Sequence, residues 1–352
     1  MISHAEHFGV YDMILAGDIG GTKTVLGLFG EGSSPGSPLS EMTFSSQSYG
    51  SLEEIAKIFL EQERPDHIEA ACFAVAGPVL NDTASVTNLP WIISYDMLST
   101  SLGISRIKLI NDVQAVACSV PILEKSDLRT LIPGDPVDNG TIAVIAVGTG
   151  LGESFLTWNG SSYLSHPTEG GHGDFGPTGK DQIGLLSFMA EKQDHVSWES
   201  VCSGIGIPNI YDYLLSTGRY RDALPLEERP EFGEDRTPAI IGAAIEAVPP
   251  CSLCTDTLKM FVSLLGAESG NLILKTMATG GLYLGGGIPP RILKFLESAC
   301  FVASFKAKGR LTPMMKGIPV HVILNFKAAL MGAAMEAVRI STRQSAMAGK
   351  TG

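Results

Sequence analysis

The stretch Asp18-Ile-Gly-Gly-Thr22 lies between Tyr11-Asp-Met-Ile-Leu-Ala16 and Thr24-Val-Leu-Gly-Leu-Phe29. Both flanks are short apolar runs rich in β-branched and aromatic residues, a pattern that predicts strands. The glycines therefore occupy a strand-to-strand turn, not the start of a helix. Without Cβ atoms, such a turn lets backbone N–H groups converge on a phosphate. Asp18 at its lip would repel a phosphate unless a divalent cation, or water bound to one, stands between them. A plain hairpin turn is the alternative that this segment alone leaves open.

A second cluster repeats the grammar. Thr141-Ile-Ala-Val-Ile-Ala-Val147 predicts a buried strand ending in Gly148-Thr-Gly150-Leu-Gly152. A dinucleotide-binding site would need G-x-G-x-x-G followed at once by a helix. Here the spacing is G-x-G-x-G, and Glu153–Trp158, Asn159-Gly160 and Ser161–Ser165 follow, which predicts a hairpin. A third run, Gly280–Pro290, ends a strand in glycines and leads into a helical Arg291–Glu297. Three phosphate-compatible loops on three strands fit two related α/β halves that clasp a nucleotide.

Composition agrees with such an enzyme. The chain has 352 residues, 44% of them hydrophobic, enough for two domains with separate cores. A net charge of −12 argues against nucleic acid or an anionic membrane as partner. It leaves phosphate ligands open, because local N–H groups and a metal can hold them. No apolar run reaches membrane-span length and Met1–His7 lacks signal-peptide character, so the expected location is cytoplasmic. The six cysteines are scattered, and Cys251-Ser-Leu-Cys254 has no second Cys or His pair to complete a zinc site. Buried reduced thiols are expected. The terminal Ala348–Gly352 mimics the end of a P-loop but has no helix to follow it, and reads as a frayed tail.

Punctuation organises the rest. Residues 1–12 predict a loose extension and Gly30–Pro38 a flexible hairpin tip. Leu52–Glu61 has helical spacing, Ala70–Ala76 and Ile107–Ile110 predict strands, and Val113–Val120 predicts a helix that stops at Pro121. Ser126–Asn139, polar and broken by proline and glycine, is the expected hinge. Asp181–Ala278 should be mainly helical with an exposed loop at Leu224–Pro238, and a last helix over about Lys327–Ser345 should pack on the first domain.

Candidate chemistry sits at two places. Asn111-Asp112 falls where a strand gives way to a helix, a position that suits either a catalytic residue or an N-cap. Glu169-Gly-Gly-His172-Gly-Asp174-Phe175 pairs a carboxylate with an imidazole, but its glycines oppose the helix a metal pair would need. A glycine loop presenting acceptors and a donor to a small polyol fits better. Glu199 by itself reads as a solvated helix residue.

These segments, with Thr87-Asn-Leu-Pro-Trp91, Glu199-x-Val-x-Ser-Gly204 and Gly285-Gly-Gly-Ile288, occur in an order that resembles the bacterial glucokinases of the hexokinase/actin-like superfamily over nearly the whole chain. The resemblance implies two RNase-H-like (actin-like ATPase) α/β domains with an interdomain cleft. It implies domains of residues 1–122 plus 325–352 and 123–324. It also implies transfer of phosphate from ATP to the 6-hydroxyl of D-glucose, with Mg2+, at the head of glycolysis, by a homodimer.

By the same resemblance Asp112 is the general base, and Asn88, Asn111, Asp112, Glu169, His172 and Glu199 bind the sugar. Gly17, Asp18, Ile19, Gly20, Gly21 and Thr22 form one phosphate loop, and Gly148, Thr149 and Gly150 the other. Gly285, Gly286 and Gly287 take the adenosine side, and Asp18 holds Mg2+ through water. The chain departs from the family's pattern at Lys23, at Glu153, and at Asn325-Phe-Lys, where relatives commonly have Asn-Pro. A kinase of another hexose, a non-catalytic sugar-binding regulator and an actin-like ATPase are the competing readings.

Overall fold

The computed structural model describes residues 13–30, 35–86, 88–220 and 235–348, with side chains described to residue 341. The expected N-terminal extension, most of the 224–238 loop, part of the 30–38 tip and the last four residues of the tail lie outside the described residues. The chain divides into two compact units, Met1–Leu123 with Lys327–Gly352, and Glu124–Phe326.

The first unit begins with β1 (Met13–Ile19), β2 (Lys23–Gly30) and β3 (Ser40–Ser45), an antiparallel meander. Helix α1 (Leu52–Glu63) follows, opened by the Ser51 side chain and closed by Arg64 in the left-handed region. Next comes β4 (Ile68–Val75), parallel to β1. A small antiparallel sheet of β5 (Val79–Leu80), β6 (Thr83–Ser85) and β7 (Ile92–Ser94) precedes α2 (Tyr95–Leu102). Strand β8 (Ile107–Asn111) completes the main sheet, parallel to β4, and α3 (Asp112–Ser119) leaves it directly. Its strand order is β3-β2-β1-β4-β8. Alternation along β1 and β4 sends Leu15, Ile19, Ala71 and Phe73 to one core, and Ile14, Ala16, Ala70 and Cys72 to another.

The second unit repeats the plan. Strand β9 (Leu128–Ile132) lies at its edge, and β10 (Ile142–Val147), β11 (Leu151–Trp158) and β12 (Tyr163–Thr168) form the meander. Helices α4 (Lys180–Ala190), α5 (Glu199–Cys202), α6 (Gly206–Ser216), α7 (Thr237–Ile245) and α8 (Ser252–Thr276) follow. Then come β13 (Gly281–Gly285), α9 (Leu293–Leu296), α10 (Ala299–Lys306), α11 (Thr312–Gly317) and β14 (Val320–Ile323). The sheet order is β12-β11-β10-β13-β14-β9, with β13 and β14 parallel to the β10 direction. Removing the edge strand β9 leaves the first unit's topology a second time. The buried α8, carrying Leu258, Phe261, Leu265 and Leu272, anchors this core.

The chain returns to the first unit in α12 (Ala328–Ala348), as the sequence predicts. It packs against α3 so closely that a methyl group on Gly332 would strike the Ala115 carbonyl oxygen. On the same helix the buried Glu336 pairs with Lys108 of β8 and accepts from Arg339 Nε at 2.7 Å. Burial disfavours its charge, but the Arg339 and Lys108 bonds outweigh that and hold the carboxyl below its ordinary value.

Two expectations need correction. The 126–139 segment is no simple hinge, because it contains β9, paired antiparallel with β14. An edge strand buries little, so its composition reads as polar. The hairpin at Asn159-Gly160 forms with a four-residue loop, Trp158 pairing with Tyr163. Asn159 Oδ1 accepts from the N–H groups of Ser161 and Ser162, both at 2.9 Å, which holds those residues in the loop.

Candidate active site

In the first unit, parallel register brings the ends of β1, β4 and β8 to one edge, with Asp18 beside Ala74 and Val75 beside Asn111. Ligands of open α/β sheets bind at such carboxyl ends. The Gly20–Lys23 turn is closed by the Gly20 N–H to the Lys23 carbonyl at 2.9 Å. Ser46 braces it from outside: its hydroxyl donates to the Gly20 carbonyl at 2.7 Å and meets the Thr24 hydroxyl at 2.9 Å. Thr22 and Lys23 are exposed at the tip, while Gly17 is buried in β1.

At the Asn111-Asp112 junction both side chains bond the start of α3, Asp112 Oδ1 accepting from the Val113 N–H at 2.9 Å. Asn111 is the N-cap of α3, its Oδ1 accepting from the Val113 N–H at 2.9 Å and the Gln114 N–H at 3.4 Å. Its Nδ2 donates to the Gly77 carbonyl at 3.1 Å, which leaves that amide a second N–H. Asp112 stands in the first turn, where the helix dipole favours a carboxylate. Burial, with Asp112 nearby, pushes the Asp18 carboxyl up to about 6, and Lys23 only partly offsets this. Asn88, exposed and left-handed at φ 64°, lies between β6 and β7 of the small sheet.

In the second unit the Gly148–Gly150 turn is held by the Gly148 N–H to the Gly150 carbonyl at 3.0 Å. The segment after α5 locks onto it, Gly204 N–H donating to the Gly148 carbonyl at 2.8 Å. Glu199, at the start of α5, accepts from the Leu151 N–H at 2.9 Å through Oε2. A methyl group on Gly150 would come within 2.5 Å of that oxygen, so the glycine is what admits the carboxylate. The adenosine-side candidates Gly285–Gly287 run off the end of β13 beside the same turn, Gly285 being its last residue, with the Ile288 N–H donating to the Val147 carbonyl at 3.2 Å.

The Gly170–His172 segment forms a 3-10 turn, as its glycines foretell, and not an α-helix. It brings His172 Nε2 to 3.9 Å from Glu169 Oε2, and His172 Nδ1 to 4.0 Å from Glu199 Oε1. His172 and Glu169 side chains are 59% and 72% exposed, so their polar groups can meet a ligand. Behind them Gly173–Phe175 pairs with Val196–Trp198, and Phe175 packs edge-on to Trp198 with centroids 5.1 Å apart. Acceptors and a ring with donor and acceptor nitrogens, converging on one spot, suit a polyol.

Several supports gave no sequence signal. Ser46 reaches the first turn from 26 residues away, and the Leu151 N–H anchor for Glu199 spans 48. The Cys-x-x-Cys pair has a structural explanation: Cys251 caps α8, its Sγ accepting from the Cys254 N–H at 3.4 Å. None of the six cysteines forms a disulfide. Among the described residues, no group of three or more His, Cys, Asp or Glu side chains is placed to hold a metal.

The doubled sheet, with a glycine turn in each copy and a carboxylate–imidazole cluster in one, defines a sugar kinase of the actin-like ATPase fold. The likeness to solved structures agrees. The crystal structure of glucokinase from an Antarctic psychrotroph superposes with a TM-score of 0.80 at 29% identity, covering 94% of this chain and 99% of that one. A ROK family glucokinase from Streptomyces griseus, solved in complex with glucose and AMPPNP, gives a TM-score of 0.62 at 20% identity over 93% and 99%. The profile of the Glucokinase family matches residues 15–340. Glucokinase of Trichormus variabilis is 40% identical, covering 93% of this chain and 99% of the relative. The chain belongs to the glucokinase family, and its activity is ATP-dependent phosphorylation of glucose.

Proposed function

We propose that Asp112 is the general base, taking the proton from the glucose 6-hydroxyl as it attacks the γ-phosphate. Asn88, Asn111, Glu169, His172 and Glu199 hold the remaining hydroxyls. The observation that carries this is the convergence of Glu169 and Glu199 on His172 at 3.9 and 4.0 Å; Asp112 opens α3 at the carboxyl end of β8. A carboxylate at the head of α3 needs only to be ionised and within reach of the hydroxyl to act as base.

The turns from Gly17 to Thr22 and from Gly148 to Gly150 cradle the phosphates, and Gly285–Gly287 lie on the adenosine side. Phosphoryl transfer asks mainly for positioning and charge neutralisation, which backbone N–H groups in fixed turns supply. Asp18 suits a water-mediated Mg2+: its buried carboxyl, raised by burial and by Asp112, gains from a cation beside it. Asp18 would hold Mg2+ there through water, and the cation would supply positive charge to offset that of the phosphates. The enzyme works in the cytoplasm as a homodimer, with no nucleic-acid or membrane partner. Among the described residues no helix is long and apolar enough to cross a membrane.

A coupled assay over a hexose panel, with ATP, ADP or polyphosphate as donor, tests the assignment. Glucose with ATP and Mg2+ should give the highest kcat/KM. Turnover of ATP at the same rate with and without sugar would contradict it.

A further inference from the structure

Glu153 departs from the family's pattern and has no role in the site above, yet it is almost wholly buried directly beneath the sugar loop. It lies on β11, paired in register with Thr168 of β12, the residue before Glu169. Its carboxyl group fills the space where a Gly170 side chain would be, with the carboxyl carbon 2.9 Å from that position. The neighbouring Gly171 rests in the same way on the Leu151 carbonyl. The turn carrying Glu169 and His172 thus sits on β11 with the Glu153 carboxyl as its floor.

Glu268 of α8 is near enough that its carboxyl, after burial, raises that of Glu153. Glu268 is fully buried and already accepts from Lys275 Nζ at 3.0 Å and Asn271 Nδ2 at 2.8 Å. Lys308 in turn donates to Asn271 Oδ1 at 2.6 Å. The Cys202 thiol also feels both carboxyls, which with burial raise it well above its ordinary value. Glu153 Oε1, by contrast, has no protein donor. Two facing carboxylates cannot bond; one proton between them makes one a donor.

We propose that Glu153 is a positioning residue for sugar binding, its carboxyl sharing one proton with Glu268 and so keeping the Gly170–His172 turn seated on β11. The inference rests on Glu169 and His172 being sugar ligands. Burial first, then Glu268, against a lowering by Lys275, puts the Glu153 group at about 8. Below that the pair holds its proton. Above it two buried negative charges repel beneath the turn, and the ligands shift.

The test is glucose KM and kcat from pH 6.5 to 9 for wild type, Glu153→Gln and Glu153→Leu, with ATP KM as control. The wild-type glucose KM should climb about tenfold above pH 8, with kcat and ATP KM nearly level. E153Q, whose amide still donates to Glu268, should keep the neutral-pH KM and lose the alkaline rise. E153L, which leaves Glu268 unmatched, should have a raised KM at every pH. An alkaline rise that persists in E153Q overturns the inference, and so does an E153Q that matches E153L.

Infrared difference spectra, wild type minus E153Q, give a readout free of activity. A protonated carboxyl band at pH 7 that titrates away above pH 8 is expected, and its absence at pH 7 overturns the shared proton. Variants of Glu169 and His172 separate the two levels. If they leave glucose KM unmoved, the sugar site itself is misassigned; if they raise it while E153Q keeps the alkaline rise, only the role of Glu153 fails.

Discussion

The two glycine turns, Gly20–Lys23 in the first unit and Gly148–Gly150 in the second, come from the same local sequence grammar and are backed by different side chains. Each joins the first two strands of the same sheet topology. The first is braced by hydroxyls of Ser46 and Thr24, and the nearby carboxylates are Asp18 and Asp112. The second is backed by the Glu199 carboxylate and by the segment through Gly204. The glycines make room at both turns. What the turn is for is decided by side chains that arrive from elsewhere in the chain.

If Asp112, beside the first turn, is the base and the side chains around His172 grip the sugar, substitutions at the two places should separate. The largest effect is expected at Asp112. D112N should lower kcat about 10²- to 10⁴-fold in steady-state assays, because a general base is lost. Its melting temperature should barely move, since Asn111 carries the cap. A D112N enzyme with half the wild-type kcat would place the base elsewhere.

Next come the groups around His172. Glu169→Gln, His172→Ala and Glu199→Gln should each raise glucose KM by a factor corresponding to roughly 1–3 kcal/mol, with ATP KM little changed. Equal damage to both constants would mean the cluster shapes the loop without touching sugar. Gly332→Ala sharpens the comparison from the other side, because it forces α12 off the Ala115 backbone of α3 without removing a polar group. It should cost about 1–3 kcal/mol in chemical denaturation and leave both KM values alone.

The smallest effect is a pH signature from two buried glutamates of opposite sense. Glu336, bonded to Arg339 and Lys108, is held below its ordinary value, so its stabilisation is present at neutral pH and is lost as pH falls through the acid range. Glu153 is raised to about 8 from 4.5, so its contribution is full below 4.5 and is lost as pH rises towards 8. Denaturant melts from about pH 2 to 9 should show E153Q flattening the fall between 4.5 and about 8, and E336Q flattening the acid one. A reversal of the two would overturn both assignments.

Local pattern carried much of this molecule into view. The strands around Asp18 and Val147 and the helix after Asn111 were legible because each is a short apolar run cut by glycine or by a capping residue. Strand β9 was not, because an edge strand with two exposed central residues lacks an apolar signature. Glu199 was legible only through its family motif, since its anchor at Leu151 joins residues 48 apart. Glu153 looked like an intruder in an apolar strand. Its partners Gly170 and Glu268 are distant in sequence, and only packing shows that a carboxyl belongs there.

Calorimetric titration of glucose into D112N and E199Q, set beside their turnover at saturating glucose, tests the division of labour most directly. The account predicts that D112N binds glucose within a few-fold of wild type yet transfers phosphate hundreds of times more slowly, consistent with loss of a general base at about 10²-fold or more. E199Q should bind weakly and, once saturated, turn over at a rate near that of wild type. Loss of binding and turnover in the same proportion in both variants would contradict it.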